Sequence, residues 1–98
     1  MIRSFGSKAT AQLFRGEVPR GMARDLATAA RRKLLMLDAA ETLDDLRQPP
    51  GNRLEVLRGD RAGQHSIRVN DQWRPPGFDI MFTWRSDGPH AAEIVDYH

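Results

Sequence analysis

The segment RLEVLRGDRAGQHSIRVNDQWR, residues 53–74, decides the fold class. Leu54 and Val56 share one side of an extended stretch over Arg53–Arg58. The run Arg58-Gly59-Asp60-Arg61-Ala62-Gly63 carries two glycines and reads as a turn. After it, His65, Ile67 and Val69 fall on one face, and Ser66, Arg68 and Asn70 on the other. Two alternating stretches joined by a glycine turn form an antiparallel pair. Asn70-Asp71 reads as a second turn, and Trp73-Arg74 opens a further strand that Pro75-Pro76-Gly77 interrupts at once.

Working outward, the C-terminal side continues in strands. Ile80–Trp84 regains extended character, Ser86-Asp87-Gly88-Pro89 is a turn, and Ala92–Tyr97 is a last strand. The N-terminal side is helical. Met22, Leu26, Ala30, Leu34 and Leu37 repeat every three to four residues and predict a helix over about Ala23–Ala40. Ser7 is a plausible N-cap for a short helix ending near Phe14, and Gly16–Gly21 is a loop. Met1–Phe5 reads as an edge strand, and Glu41–Leu46 as one more helical turn. Gln48-Pro49-Pro50-Gly51 then stops helical structure. Helices followed by hairpin-connected strands give an α+β domain with an antiparallel sheet, one domain over residues 1–98. Its exposed face or edge is expected to carry the arginines.

The 98 residues are enough for one modest core and too few for a large multidomain enzyme. With no cysteine there is no disulfide framework, thiolate zinc site or cysteine nucleophile. No apolar run approaches the ~18 residues of a membrane span, and the opening MIRSFGSKATAQLFRG has no continuous apolar stretch. A cytoplasmic location without a secretory signal is the expectation. Thirteen of the fifteen basic residues are arginine, whose planar fork matches phosphate oxygens. Charge is unevenly spread: +6 over residues 1–37, −3 over 38–50, +2 over 51–74 and −3 over 75–98. That pattern raises nucleic acid or an acidic protein as partner.

Several chemistries lack their motifs. His65, His90 and His98 show no metal-ligand spacing, and the glycines fit neither a P-loop nor a dinucleotide loop. There is no G-x-S-x-G elbow. No metal or cofactor is expected. What remains is Arg53, Arg58, Arg61, Arg68 and Arg74 around the strands, with Asp96, Tyr97 and His98 at the end of the chain. RNA can be cut without a metal when the ribose 2′-hydroxyl attacks the adjacent phosphorus. The protein then has to take one proton, deliver another and stabilise phosphate charge. These side chains can do that between them. Each also has a structural role open to it. Tyr97 can be a half-buried sheet residue, Trp73 and Trp84 core packing, His65 a partly buried structural histidine, and His98 a frayed end.

The chain resembles the HigB toxins of the RelE-like toxin–antitoxin superfamily, through MIRSF at the start, RKLLMLDAA (32–40), LDDLRQPPGNRLEVLRGDRAGQHSIRVNDQWR (43–74) and EIVDYH (93–98). The resemblance implies a RelE-like fold with N-terminal helices packed on a curved antiparallel sheet. It implies a ribosome-dependent, metal-independent mRNA endoribonuclease. It also implies a HigA-type helix-turn-helix antitoxin as partner, with operator DNA reached only through that antitoxin. Carried over, Arg74 is the phosphate clamp, and Asp96, Tyr97 and His98 transfer protons and position substrate. Arg58 is expected to contact RNA backbone or rRNA, and Arg53, Arg61 and Arg68 extend that basic surface. Glu55 falls where some relatives carry histidine, and either a general base or a carboxylate paired with an arginine fits it.

Relatives run directly from Gln-Trp-Arg into an aliphatic strand. Here Pro75–Asp79 is inserted, which predicts a loop or bulge of about five residues before Ile80. Two alternatives to a nuclease accompany this departure: a non-catalytic RNA- or ribosome-binding module, and a degenerate toxin that keeps only its antitoxin interface.

Overall fold

The computed structural model describes residues 1–61, 63–70 and 77–97, with only the backbone for Arg61 and Tyr97. Helix α1 spans Lys8–Phe14 and α2 spans Arg24–Ala39. Four strands follow: β1 (Glu55–Val56), β2 (Gln64–Arg68), β3 (Gly77–Arg85) and β4 (Gly88–Tyr97). They form one antiparallel sheet in the order β1-β2-β3-β4. The α+β architecture expected from the sequence is the one observed.

Helix α2 buries Ala27, Ala30, Leu34 and Leu37, a stripe at helical spacing, while Arg31 and Arg32 stay in solvent. That stripe meets Ile67, Val69, Ile80 and Phe82 from the inner face of the sheet, with Leu13 of α1 and Leu46 completing the core. Burying such side chains stabilises by about 1.5–3 kcal/mol each before entropy is counted. His65 lies at the same face, half-buried and stacked on Phe82 at 5.8 Å. Its Nδ1 is buried without a partner among the described residues, and burial lowers its pKa. The partly buried structural reading fits it.

α1 begins at the expected cap. Ser7 Oγ accepts from the Thr10 amide at 3.2 Å. Buried Thr10 in turn accepts the Ile94 amide through Oγ1 at 3.0 Å, tying α1 to β4. The segment before it differs from the sequence reading. Met1–Phe5 is not a regular strand; it makes a single parallel bridge, Phe5 to Ala92. The cause is a bulge in β4. Met81 pairs with Glu93 and Thr83 with His90, so Ala91 and Ala92 together oppose Phe82, and Ala91 takes φ 53°. The displaced amides turn to the N-terminal segment. Ala91 N donates to Ser4 Oγ at 2.8 Å, Ala92 N to Ser4 O at 3.1 Å, and Gly6 N to Ala92 O at 2.8 Å. A Cβ on Gly6 would lie 3.0 Å from Glu93 Cβ and 3.2 Å from the Ala91 carbonyl, so the N-terminal segment approaches β4 closely there.

The segment after α2 also departs from expectation in detail. Leu43–Arg47 is a 3₁₀ turn, opened by a reciprocal cap between Thr42 and Asp45. Those backbone donors hold the Asp45 carboxyl below its ordinary pKa. The Pro-Pro-Gly stretch does not end helical structure; Pro50–Asn52 forms a second 3₁₀ turn, with proline at its first position, where no amide donor is needed. Asn52 is fully buried. Its Oδ1 accepts from Lys33 Nζ at 2.6 Å, and its Nδ2 donates to the carbonyls of Leu46 and Gln48 at 3.2 and 3.3 Å. Burial, with Arg32 beside it, lowers the Lys33 pKa.

β1 is shorter than the extended stretch read over 53–58, since Arg53 is left-handed (φ 46°) and Gly59–Arg61 is a third 3₁₀ turn. The expected loop over Pro75–Asp79 is corrected in its second half. Gly77, Phe78 and Asp79 belong to β3 and pair with Tyr97, Asp96 and Val95; Pro75 and Pro76 lie outside the described residues, as do Asp71 and Trp73. Asn70 Oδ1 accepts the Phe78 amide at 3.1 Å, which starts the strand there. β4 begins at Gly88, earlier than expected, after the two-residue turn Ser86-Asp87. His90 is correspondingly a strand residue, half-buried and hydrogen-bonded to Asp87 at 2.6 Å rather than simply exposed.

Asn52→Ala is expected to cost about 2–4 kcal/mol, because it leaves a half-buried ammonium and two carbonyls without their partner. A urea denaturation curve with a lowered midpoint and unchanged slope is the expected result; an unchanged midpoint would remove Asn52 from its role as anchor.

Candidate nucleic-acid groove

The helices cover only one face of the sheet. On the other, period-two alternation aligns Glu55, Ser66, Met81 and Glu93 in one cross-strand row. The next row contains Arg68, Asp79 and Val95. Between them lies a groove of about 280 Å³ lined by Glu55, Leu57, Ser66, Asp79, Met81, Val95 and Asp96. Leu57, Met81 and Val95 give it apolar lining, and Glu55, Ser66 and Asp79 give it two carboxyl groups and a hydroxyl.

The groove brings together some of the sequence candidates. Glu55 is exposed and lines its β1 side. Asp96, near the end of β4, is exposed and borders the groove, but it pairs with inward-facing Phe78, so alternation turns its side chain toward the other face. Tyr97 ends β4 opposite Gly77. Arg68 is half-buried on β2, directly across from Asp79. Arg58 is exposed between β1 and the third 3₁₀ turn, and the backbone of Arg61 closes that turn. Arg53 is exposed at the entry to β1. Arg53 and Arg58 flank the groove's β1 side without lining it. Arg74 and His98 lie outside the described residues. Among the described residues, no cluster of three or more histidine, aspartate or glutamate side chains could hold a metal ion.

Asp79 is the residue that the sequence reading missed. It is 8% exposed in a chain whose other carboxylates mostly face water. Burial pushes its pKa up, nearby Glu55 adds to that rise, and Arg68 opposes it. A signal existed. Counting back by twos from buried Phe82 and Ile80 puts Phe78 inward and Asp79 outward, on the face of Ser66 and Arg68. The prolines two residues before Gly77 hid that count.

A folded-state pKa above the unfolded one means that folding disfavours the ionised form. That cost is absent below the ordinary carboxylate range, near pH 3.9, and grows as pH rises toward the folded value. Asp79→Asn is therefore expected to raise the thermal midpoint at pH 7, with the gain fading on acidification below about pH 4. A lowered midpoint at pH 7 would mean that attraction to Arg68 outweighs burial.

Comparison with known proteins now adds to this geometry. The chain matches the model of a family described as the RelE-like toxin of the type II toxin–antitoxin system HigB, over residues 3–98. It is 48% identical to Toxin HigB-1 of Vibrio cholerae serotype O1 over 67 residues, 68% of this chain and 64% of that protein. It therefore spans just under two thirds of that relative's length. It is 30% identical to Endoribonuclease HigB of Proteus vulgaris over 98 residues, the full length of both. With nearly every residue inside the family match, and with helices and sheet arranged as described, the chain belongs to the HigB-like family of RelE-like toxins of type II toxin–antitoxin systems.

Proposed function

We propose that this chain is the toxin of a type II toxin–antitoxin pair, acting as a ribosome-dependent, metal-independent endoribonuclease on mRNA. The observation that carries the reading is the uncovered groove, with Glu55 on one side and Asp96 at the end of β4 on the other. The resemblance assigns proton transfer and substrate positioning to the end of β4, and leaves Glu55 either a general base or a carboxylate paired with an arginine.

In this reading the 2′-hydroxyl of the bound ribose attacks the neighbouring phosphorus, and the 5′-oxygen leaves. Arg74 clamps the phosphate, and Asp96, Tyr97 and His98 position the strand and move protons. Arg53, Arg58, Arg61 and Arg68 hold RNA backbone or rRNA through charge-assisted hydrogen bonds. A shallow sheet face offers few contacts to orient a flexible strand, so the ribosome supplies the alignment that raises the effective concentration of the reacting groups. The action takes place in the cytoplasm. A HigA-type helix-turn-helix antitoxin neutralises the toxin and brings it to operator DNA. The exposed Arg31 and Arg32 of α2 favour fast, salt-sensitive association with an acidic partner.

The test is induction of the wild-type chain and of a version lacking His98, followed by mapping of new mRNA 5′ ends within minutes. New ends inside translated frames, reduced about 10²-fold or more without His98, are expected. Absence of new ends with soluble wild-type protein would favour the binding module or the degenerate toxin.

A further inference from the structure

Two carboxyl groups, Glu55 and Asp79, face the groove of a protein whose proposed substrate is a polyanion, and Asp96 stands at its border. Glu55 and Asp96 are exposed, where water screens their charge. Asp79 is not; it sits in the floor of the groove, on β3, where an ionised carboxylate would be poorly solvated and would repel a phosphodiester. A protonated carboxyl at that place is different. It is neutral toward phosphate and has a proton to give.

The register adds a geometric argument. Glu55 pairs with Ser66 and Asp79 with Arg68, so the two carboxyl groups stand on the strands either side of β2. Strands lie about 4.8 Å apart, which separates the backbones of β1 and β3 by about 9.5 Å. The two are also offset by two positions along the strands, about 6.6 Å, so the span between them crosses Ser66 and Arg68 diagonally. In-line displacement requires the attacking 2′-oxygen and the leaving 5′-oxygen on opposite sides of phosphorus. A base on one flank and an acid on the other meets that requirement.

We propose that Asp79 is a further catalytic residue of this groove, the general acid that protonates the leaving 5′-oxygen. This rests on the nuclease reading above. Glu55 Oε takes the 2′-hydroxyl proton as the 2′-oxygen–phosphorus bond forms, while Asp96, Tyr97 and His98 position the strand and, between turnovers, move protons to and from solvent so that both carboxyl groups return to their starting states. The phosphorus–5′-oxygen bond breaks, and its electron pair accepts the proton from Asp79 Oδ. The products are a 2′,3′-cyclic phosphate and a 5′-hydroxyl; Asp79 ends ionised and Glu55 protonated. Burial favours the acid form before reaction, and Arg68 stabilises the carboxylate afterward. Arg68 on β2, Glu55 on β1, and Asp96 and Glu93 on β4 are the charged groups around Asp79 on this face among the described residues. Glu93 approaches Gly6 and Asp96 lies toward the end of β4, so Glu55 and Arg68 are the two that set its titration.

The test uses full-length toxin on mRNA-programmed ribosomes at the mapped cut site. Cleavage is followed under single-turnover conditions from about pH 5.5 to 8. Asp79→Asn is expected to cut about 10²-fold more slowly and to lose the fall in rate at high pH. Asp79→Glu is expected to recover at least a tenth of the rate and to keep that fall. An mRNA with sulfur in place of the bridging 5′-oxygen, whose thiolate leaves without a proton, is expected to restore Asp79→Asn to within a few-fold of wild type. Circular dichroism and antitoxin binding establish that each variant is folded. Asp79→Asn cutting at the wild-type rate, or faster, overturns the proposal; so does a slow variant with an unchanged pH profile and no rescue by sulfur. Wild-type toxin that cuts nothing overturns the nuclease reading and this inference together.

Discussion

The described α-helices pack on one face of the four-stranded sheet, and the rest of the described structure follows from that one-sided packing. Helix α2 takes one face with a stripe of alanine and leucine. Alternation along β2, β3 and β4 then sends every second side chain to a surface that no described helix covers. Whatever polar groups the sequence places there stand together, although they come from strands far apart in the chain. The groove is the result. Its floor is the outward set of residues, and its borders are Glu55 at one edge and Asp96 at the other.

A polar network ties α2 to the 3₁₀ turns that precede β1. Lys33, Asn52 and the carbonyls of Leu46 and Gln48 form one connected network. Every polar atom named in it has a partner, which is what makes such burial tolerable. The network fixes where the chain enters β1, and so where Glu55 stands relative to β2. The Pro-Pro-Gly-Asn stretch thereby acts on the groove without lining it.

Much of this was legible in the sequence. The α2 stripe and the alternation of His65, Ile67 and Val69 predicted helix, strand and inner face, because one face of each is apolar and the other is not. The N-terminal segment was harder to read. Ile2 and Phe5 look like a strand, but their partner is a bulge at Ala91, and bulges leave no mark in hydrophobic periodicity. Asp79 was hidden for a different reason. Proline at 75 and 76 forbids ladder donation at those positions, and that prohibition was extended too far, to residues that pair normally. In the groove, Glu55 and Asp96 were visible as candidates through resemblance. Asp79 became visible only when the register showed what stands opposite Arg68.

The bulge at Ala91 couples the two ends of the described chain. The sheet itself is a run of consecutive hairpins, but residues 3–6 dock on β4 from more than 80 positions away, and such long-range contacts close slowly. Residues 3–6 have no partner without β4, and the groove has no β4 side without it. Ordering of the N-terminal segment and completion of the groove therefore depend on one strand, and whatever loosens β4 at Ala91 opens both at once.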